Sequence, residues 1–167
     1  ENYEAGLNIL KLVYQTDTHP KLARIYNNIG ILYKSLKNYP KAKEYIEKAL
    51  AIRKELSSNN ENHLDIALSY HILGEFYFSS ENFEKSLEFQ KKSIKIFSEH
   101  YNGKEGPYLA HAYCSLGLAY TKLQDFETGI SWLEKCLASF KACGIESHPK
   151  FALVKALIEK INQKKAK

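Results

Sequence analysis

Apolar residues recur along the chain at helical spacing, in stripes that come in pairs. The first stripe of one pair runs through Tyr26, Ile29 and Tyr33, which lie on one face of a helix at this spacing. A second stripe begins at Ala42, after a short connection. Because so short a connection returns the chain alongside the helix that it leaves, each pair of stripes predicts an antiparallel helical hairpin.

The hairpin pattern occurs three times in tandem and is marked by an eight-residue block, YNNIGILY, YHILGEFY or YCSLGLAY. The glycine of the block recurs at intervals of 44 and 43 residues, as Gly30, Gly74 and Gly117. A glycine inside a helix costs about 1 kcal/mol relative to alanine, so its recurrence predicts that a neighbouring helix approaches closely at this point. Small residues of the second helix are expected to face the three glycines, and these are Ala49, Ser93 and Cys136.

The block Tyr-x2-Ile/Leu-Gly-x2-Tyr, followed by an aromatic residue and then by the small residue, resembles the tetratricopeptide repeat, with tyrosine where the consensus has tryptophan. The period of 43 to 44 residues is longer than the usual value of about 34. Each first helix restarts after a histidine or a glycine, at Pro20, Leu64, Pro107 and Pro149. The long period and the His-Pro restart are similar to the kinesin light chain class of these repeats. The resemblance implies an all-α fold, a right-handed superhelix (solenoid) of antiparallel helical hairpins.

These patterns predict a single array of eight helices over residues 1–167. The predicted segments are the second helix of a truncated hairpin at 2–15, full hairpins at 20–56, 63–101 and 107–142, and a capping helix at 149–164. The chain begins at Glu1 and contains no methionine, so we expect it to be part of a longer protein.

Composition agrees with a globular helical protein and narrows the class of function. Hydrophobic residues make up 44% of the chain, and no uncharged stretch approaches the roughly 18 apolar residues that a membrane-spanning helix needs. The net charge of +5 comes entirely from residues 141–167, which carry seven basic and two acidic side chains. Lysines at the end of a helix complement its dipole and favour solubility, so nucleic-acid binding is disfavoured. Three cysteines, an odd number, predict a reducing and therefore cytoplasmic location.

The resemblance also implies where a ligand binds. In the family, side chains at the second, fifth, ninth and twelfth positions of each first helix line a concave groove. Carried over on the three glycines, the implied groove residues are Arg24, Asn27, Ile31, Lys34, Leu68, His71, Glu75, Phe78, His111, Cys114, Leu118 and Thr121. This mixture of polar and apolar side chains suits a peptide or a helix of another protein.

Other ligands and activities find little support. The family's chaperone-tail carboxylate clamp needs polar side chains where this chain has Ile31 and Ile72, so the clamp is not predicted. His71, His111 and Cys114 could approach one another, but a structural zinc site usually needs four ligands, and we predict neither a metal nor a cofactor. The sequence contains no HExxH motif, nucleophile elbow or phosphate-binding loop, which argues against an enzyme.

The sequence therefore favours a non-catalytic scaffold or adaptor that holds a segment of a partner protein in a concave groove. Two alternatives stay open. The array could act as a peptide-sensing regulatory protein, in which the ligand changes the pitch of the superhelix, or as the docking module of a larger multidomain protein.

Overall fold

The computed structural model describes residues 2–58, 60 and 62–165, with side chains over 5–58, 60 and 62–164. Over this part of the chain the fold is all-α, with eight helices and no strand. The helices are α1 (Asn2–Tyr14), α2 (Pro20–Ser35), α3 (Tyr39–Leu56), α4 (Leu64–Ser79), α5 (Phe83–His100), α6 (Pro107–Lys122), α7 (Phe126–Ala142) and α8 (Pro149–Lys165). Helices α2 and α3, α4 and α5, and α6 and α7 pack together as three hairpins.

Each first helix begins where the sequence predicts, at Pro20, Leu64, Pro107 and Pro149. Before three of these helices, the Nδ1 atom of a histidine accepts a hydrogen bond at 3.1–3.2 Å from the backbone N–H two residues later. The three histidines are His19, His63 and His148. An acceptor at this position satisfies a backbone donor that a helix start leaves without a partner, so the imidazole fixes the boundary.

Every hairpin reverses direction through the same three-residue turn. Its middle residue has a positive φ of 58°, 62° or 64°, at Lys37, Glu81 and Gln124. The last residue of the turn caps the second helix, because its side-chain oxygen accepts a hydrogen bond from the backbone N–H three residues later. This residue is Asn38, Asn82 or Asp125. A turn this short keeps the two helices of a hairpin antiparallel.

Close packing inside each hairpin depends on the recurring glycine. A Cβ atom at Gly30 would lie 2.6 Å from Cγ1 of Ile46 and 3.2 Å from the carbonyl oxygen of Ala42. A Cβ atom at Gly117 would lie 3.0 Å from the carbonyl oxygen of Gly129. The second helix therefore meets the glycine through the fourth and eighth residues of the helix in these two hairpins, and not through the small residue that was expected. The prediction of the facing residues is accordingly wrong for Ala49, Ser93 and Cys136, which are buried elsewhere in the core.

Apolar side chains are buried between neighbouring helices rather than around one centre, as in a solenoid. The first helix, α1, joins this core through Leu7 and leaves Ile9, Leu12 and Val13 exposed. None of the helices over the described residues is long and apolar enough to cross a membrane.

Candidate functional site

A groove of about 710 Å³ lies between the first helices α2 and α4. Four of the predicted ligand residues line it: Arg24, Asn27, Ile31 and Leu68. Arg24 and Ile31 are exposed, whereas only 3% of the Asn27 surface is accessible. The groove therefore presents charged and aliphatic side chains together, and Asn27 lies at its base.

Arg53 reaches this groove from the second helix α3 and holds two polar side chains of the first helices. With the Asn27 amide oxygen facing the guanidinium, Nη1 and Nη2 of Arg53 donate to it at 2.6 and 2.8 Å. Nη1 also donates to Oγ of Ser69 at 2.5 Å. Burial lowers the Arg53 pKa, and the charge of Asp65 partly opposes that shift. Within the described part of the chain, no carboxylate forms an ion pair with Arg53, and the charge of Asp65, which lines the same groove, acts on it from beyond ion-pair distance.

Sequence reasoning missed Arg53 because the family's groove positions lie on the first helices. A signal was nevertheless present in the repeats. The residue fourteen places after the start of each second helix is Arg53, Phe97 or Phe140. Phe97 and Phe140 are fully buried, so one repeat has a cation where the other two have a core aromatic ring.

An ion cluster occupies the middle of the concave face. The two carboxylate oxygens of Glu75 lie 3.5 Å from Nζ of Lys34 and 3.9 Å from Nζ of Lys150. Nε2 of His71 lies 3.8 Å from the same carboxylate. Burial alone would raise the Glu75 pKa, but His71, Lys34 and Lys150 outweigh it and hold that pKa below its usual value. Glu75 thus connects α2 and α8, which lie on either side of α4 in the array.

The two predicted histidines of the groove are held by other side chains. Nδ1 of His71 lies 2.9 Å from Oε1 of Gln90 on α5, and burial lowers the His71 pKa. Lys150 donates to Nδ1 of His111 at 3.4 Å. Burial, followed by the charges of Lys150 and His148, lowers the His111 pKa to about 4. Both imidazoles are therefore neutral at pH 7.

Beyond the ion cluster the concave face becomes apolar. Cys114 and Leu118 of α6 line a cavity of about 290 Å³ together with Leu153, Val154 and Leu157 of α8. A neighbouring cavity of about 140 Å³ includes Lys34, Glu75 and Phe78. The sequence pattern predicted α8 to be a capping helix, so Leu153 was not among the predicted groove residues. Leu153 is nevertheless 69% exposed, and it follows Pro149 at the same distance as Arg24 follows Pro20.

Thr121 lies apart from the other predicted residues. Its Oγ1 donates to the carbonyl oxygen of Leu118 at 2.7 Å, and it lines a separate pocket with Phe126. Over the described residues, no group of three or more His, Cys, Asp and Glu side chains could hold a metal ion. The structure thus groups Arg24, Asn27, Ile31 and Leu68 in one groove, and Lys34, Glu75, Phe78, Cys114 and Leu118 around its continuation.

Comparison with known sequences supports a repeat family. The family model of the tetratricopeptide repeat matches residues 1–55 and 65–142. No curated protein matches the chain.

Solved structures support the same fold. BtubC (BKLC) from P. vanneervenii superposes with a TM-score of 0.74 at 23% identity, over 85% of this chain and 55% of that one. The nearly identical TPR-like repeats of a kinesin light chain type from Podosopora anserina give a TM-score of 0.72 at 18% identity, over 85% and 66% of the two chains. The N-terminal domain of stress-induced protein-1 (STI-1) from C. elegans gives 0.58 at 19% identity, over 83% and 95%. The chain spans little more than half the length of the BtubC structure.

Proposed function

Because the chain belongs to the tetratricopeptide repeat family, whose arrays generally mediate protein–protein interactions without catalysis, we propose that it is a non-catalytic scaffold or adaptor. Its ligand is a peptide or helical segment of a partner protein, held on the concave face. The observation that carries the proposal is the groove of about 710 Å³ between α2 and α4, lined by exposed Arg24 and Ile31.

The chemistry of the groove fits a segment with both polar and apolar groups. Leu68 and Ile72 offer aliphatic surface opposite Ile31. Arg24 and Arg53 offer N–H donors, and neither guanidinium forms an ion pair with a carboxylate of the described residues, which favours an acceptor on the bound segment. A small molecule is a less favoured ligand, because this combination of hydrogen-bond donors and flat apolar surface is typical of sites that bind peptides.

We extend the proposal to all of the predicted groove residues, to the extent of the array and to the cellular location of the protein. Residues 1–167 form one array, and the bound segment continues from the groove past Glu75 towards Leu118. The ligand is neither a chaperone carboxylate tail nor a nucleic acid. The protein acts in the cytoplasm, which accords with three free cysteines, Cys114, Cys136 and Cys143.

The test is a binding measurement with two variants of exposed groove residues, Arg24→Glu and Ile31→Asp. Affinity capture first identifies a partner, and the bound segment is then mapped and synthesised. Calorimetry should show that each variant raises the Kd at least about tenfold, because each removes a contact and adds a mismatched charge. Lys95→Glu, an exposed change on α5 outside the groove, is the matched control and should stay within about twofold. Unchanged affinity in both groove variants would show that the concave groove is not the binding site.

A second candidate function is that of a docking module within a longer protein. The chain spans 55% of the BtubC structure, and α1 leaves Leu12 78% exposed, as an unpaired second helix would.

The peptide-sensing alternative differs in its consequence, because a bound peptide would disturb the Lys34–Glu75–Lys150 cluster and change the pitch of the array. Small-angle scattering with and without the mapped segment distinguishes the peptide sensor from the other two roles. The radius of gyration of a plain scaffold or docking module stays the same when the segment binds.

A further inference from the structure

A separate pocket of about 350 Å³ lies where the turn between α6 and α7 meets the last half of α8. It is lined by Thr121, Lys122, Phe126, Leu157, Lys160, Ile161 and Lys164. It shares no residue with the groove between α2 and α4. We refer to these seven residues as the end pocket.

The floor of the end pocket contains an aromatic ring that is covered in another repeat. Tyr39, the first residue of α3, packs edge-on against Phe76 with ring centroids 6.2 Å apart, and its hydroxyl donates to the carbonyl oxygen of Ser79 at 2.6 Å. Phe126 occupies the same position at the start of α7 but is 38% exposed and makes no ring contact over the described residues. Ile161 takes the place of Phe76 in α8, counted from the helix start, so a smaller side chain leaves the ring open.

The rim of the end pocket is cationic. Lys122, Lys160 and Lys164 are all exposed, and none of them forms an ion pair with a carboxylate of the residues that the structure describes. No acidic side chain lines the pocket. Three unpaired positive charges around an apolar floor select a ligand that is apolar at its centre and negative at its edges.

We propose that the end pocket is a second docking site, which binds a short acidic segment of a partner protein through one bulky apolar side chain. The side chain packs on Phe126, Leu157 and Ile161, and flanking Asp or Glu carboxylates pair with Lys122, Lys160 and Lys164. The volume of about 350 Å³ admits one or two large side chains rather than a whole helix, which is why a short segment fits. This site goes beyond the proposed groove function and does not depend on it.

The test uses a fluorescein-labelled peptide of sequence Glu-Glu-Leu-Leu-Glu-Glu and measures its anisotropy with the full chain. We expect saturable binding that weakens at least about fivefold between low and physiological salt, because exposed charges are screened. Glu-Glu-Ser-Ser-Glu-Glu, which lacks the apolar anchor, and Lys-Lys-Leu-Leu-Lys-Lys, which inverts the charge, should not bind measurably.

Variants of the protein locate the binding site. Lys160→Glu combined with Lys164→Glu should raise the Kd at least about tenfold, and Phe126→Ser at least about fivefold, with helical circular dichroism unchanged. Lys155→Glu, an exposed lysine of α8 outside the pocket, is the matched control and should change the Kd less than about twofold. If Arg24→Glu abolishes binding while the α8 double variant retains it, the peptide sits in the groove and the end-pocket proposal is wrong.

A membrane is the competing source of negative charge, and one further arm distinguishes it. Vesicles of phosphatidylserine and phosphatidylcholine replace the peptide in a sedimentation assay. Vesicle binding that disappears in the Lys160→Glu/Lys164→Glu variant, together with no binding of the Leu-containing acidic peptide, would overturn the assignment to a protein partner.

Discussion

The first and third hairpins place opposite kinds of side chain at the same point of their second helices. In the first hairpin this residue is Arg53, which donates to Asn27 and Ser69 and faces the groove. In the third it is Phe140, which is fully buried. Both residues lie fourteen places after the start of their helix, so the repeat accommodates either a polar network or an apolar core at this position. The difference places polar hydrogen-bond donors at the N-terminal half of the array and aromatic packing at the C-terminal half.

The surroundings of Phe140 show why the third hairpin needs an aromatic ring. Its ring stacks on His148 with centroids 5.4 Å apart and packs edge-on against His111 and Phe151 at 5.5 and 6.4 Å. Through these contacts the ring joins α6, α7 and the last helix, α8. Arg53 has no comparable stacking role, since its contacts are hydrogen bonds. The C-terminal half is therefore held by packing that a small substitution would remove.

Phe140→Ala tests this difference most strongly. We expect it to lower the free energy of unfolding by about 4 kcal/mol, because it removes a fully buried ring and leaves a cavity between three helices. Urea denaturation followed by circular dichroism measures the change. A loss of less than about 1 kcal/mol would mean that α8 packs without the ring and that the two halves do not differ in this way.

Arg53→Leu should have a smaller effect, about 2 kcal/mol, because it removes hydrogen bonds but leaves an apolar side chain in place. Most of the cost arises from the buried Asn27 amide, which loses its partner. The double variant Arg53→Leu/Asn27→Leu should therefore recover part of the stability in a double-mutant cycle. If the two substitutions are additive, Arg53 and Asn27 do not act as a pair.

The smallest expected effect is a pH dependence that belongs to the third hairpin. The folded-state pKa of His111 is about 4, below its ordinary value of 6.5, so between these values the unfolded chain binds a proton that the folded chain does not. Stability should therefore fall as the pH drops from 6.5 to 4, and partial exposure limits the loss to about 1 kcal/mol. His71, whose pKa is also lowered by burial, contributes in the same direction from α4.

His111→Gln isolates that contribution, because glutamine does not titrate. Thermal unfolding at several pH values should give a shallower decline between pH 6.5 and 4 for this variant than for the original chain. The decline below pH 4.5 should stay, since the lowered pKa of Glu75 makes the folded state lose stability as that carboxylate is protonated. Equal slopes for the two proteins would show that His111 is accessible to protons in the folded state.

Much of the fold could be predicted from the sequence because helical repeats are local. The starts of the first helices at Pro20, Leu64, Pro107 and Pro149 depend on residues next to them in the chain, and the structure confirms them. The residues that face Gly30 and Gly117 could not be predicted in the same way. They depend on where two helices cross, and residues one or two turns apart lie on the same apolar stripe.

The candidate site was predictable to a smaller extent. Register carried over from the family predicts Arg24, Ile31 and Leu68 in one groove, because these positions lie on corresponding faces of α2 and α4. The register of the first helices gives no information on side chains that reach the groove from a second helix. For this reason Arg53 of α3 was not predicted. Nor does that register reveal that Lys150 of α8 extends to Glu75 of α4, a contact between residues 75 positions apart in the chain.

The three histidines that cap the first helices share the position of their ring proton as well as their place in the sequence. The Nδ1 atoms of His19, His63 and His148 all accept a backbone hydrogen bond, so in the neutral ring the proton must sit on Nε2. Three imidazoles at separate helix starts are thus locked in one tautomer without touching one another. In nitrogen NMR spectra they should form a single spectroscopic class.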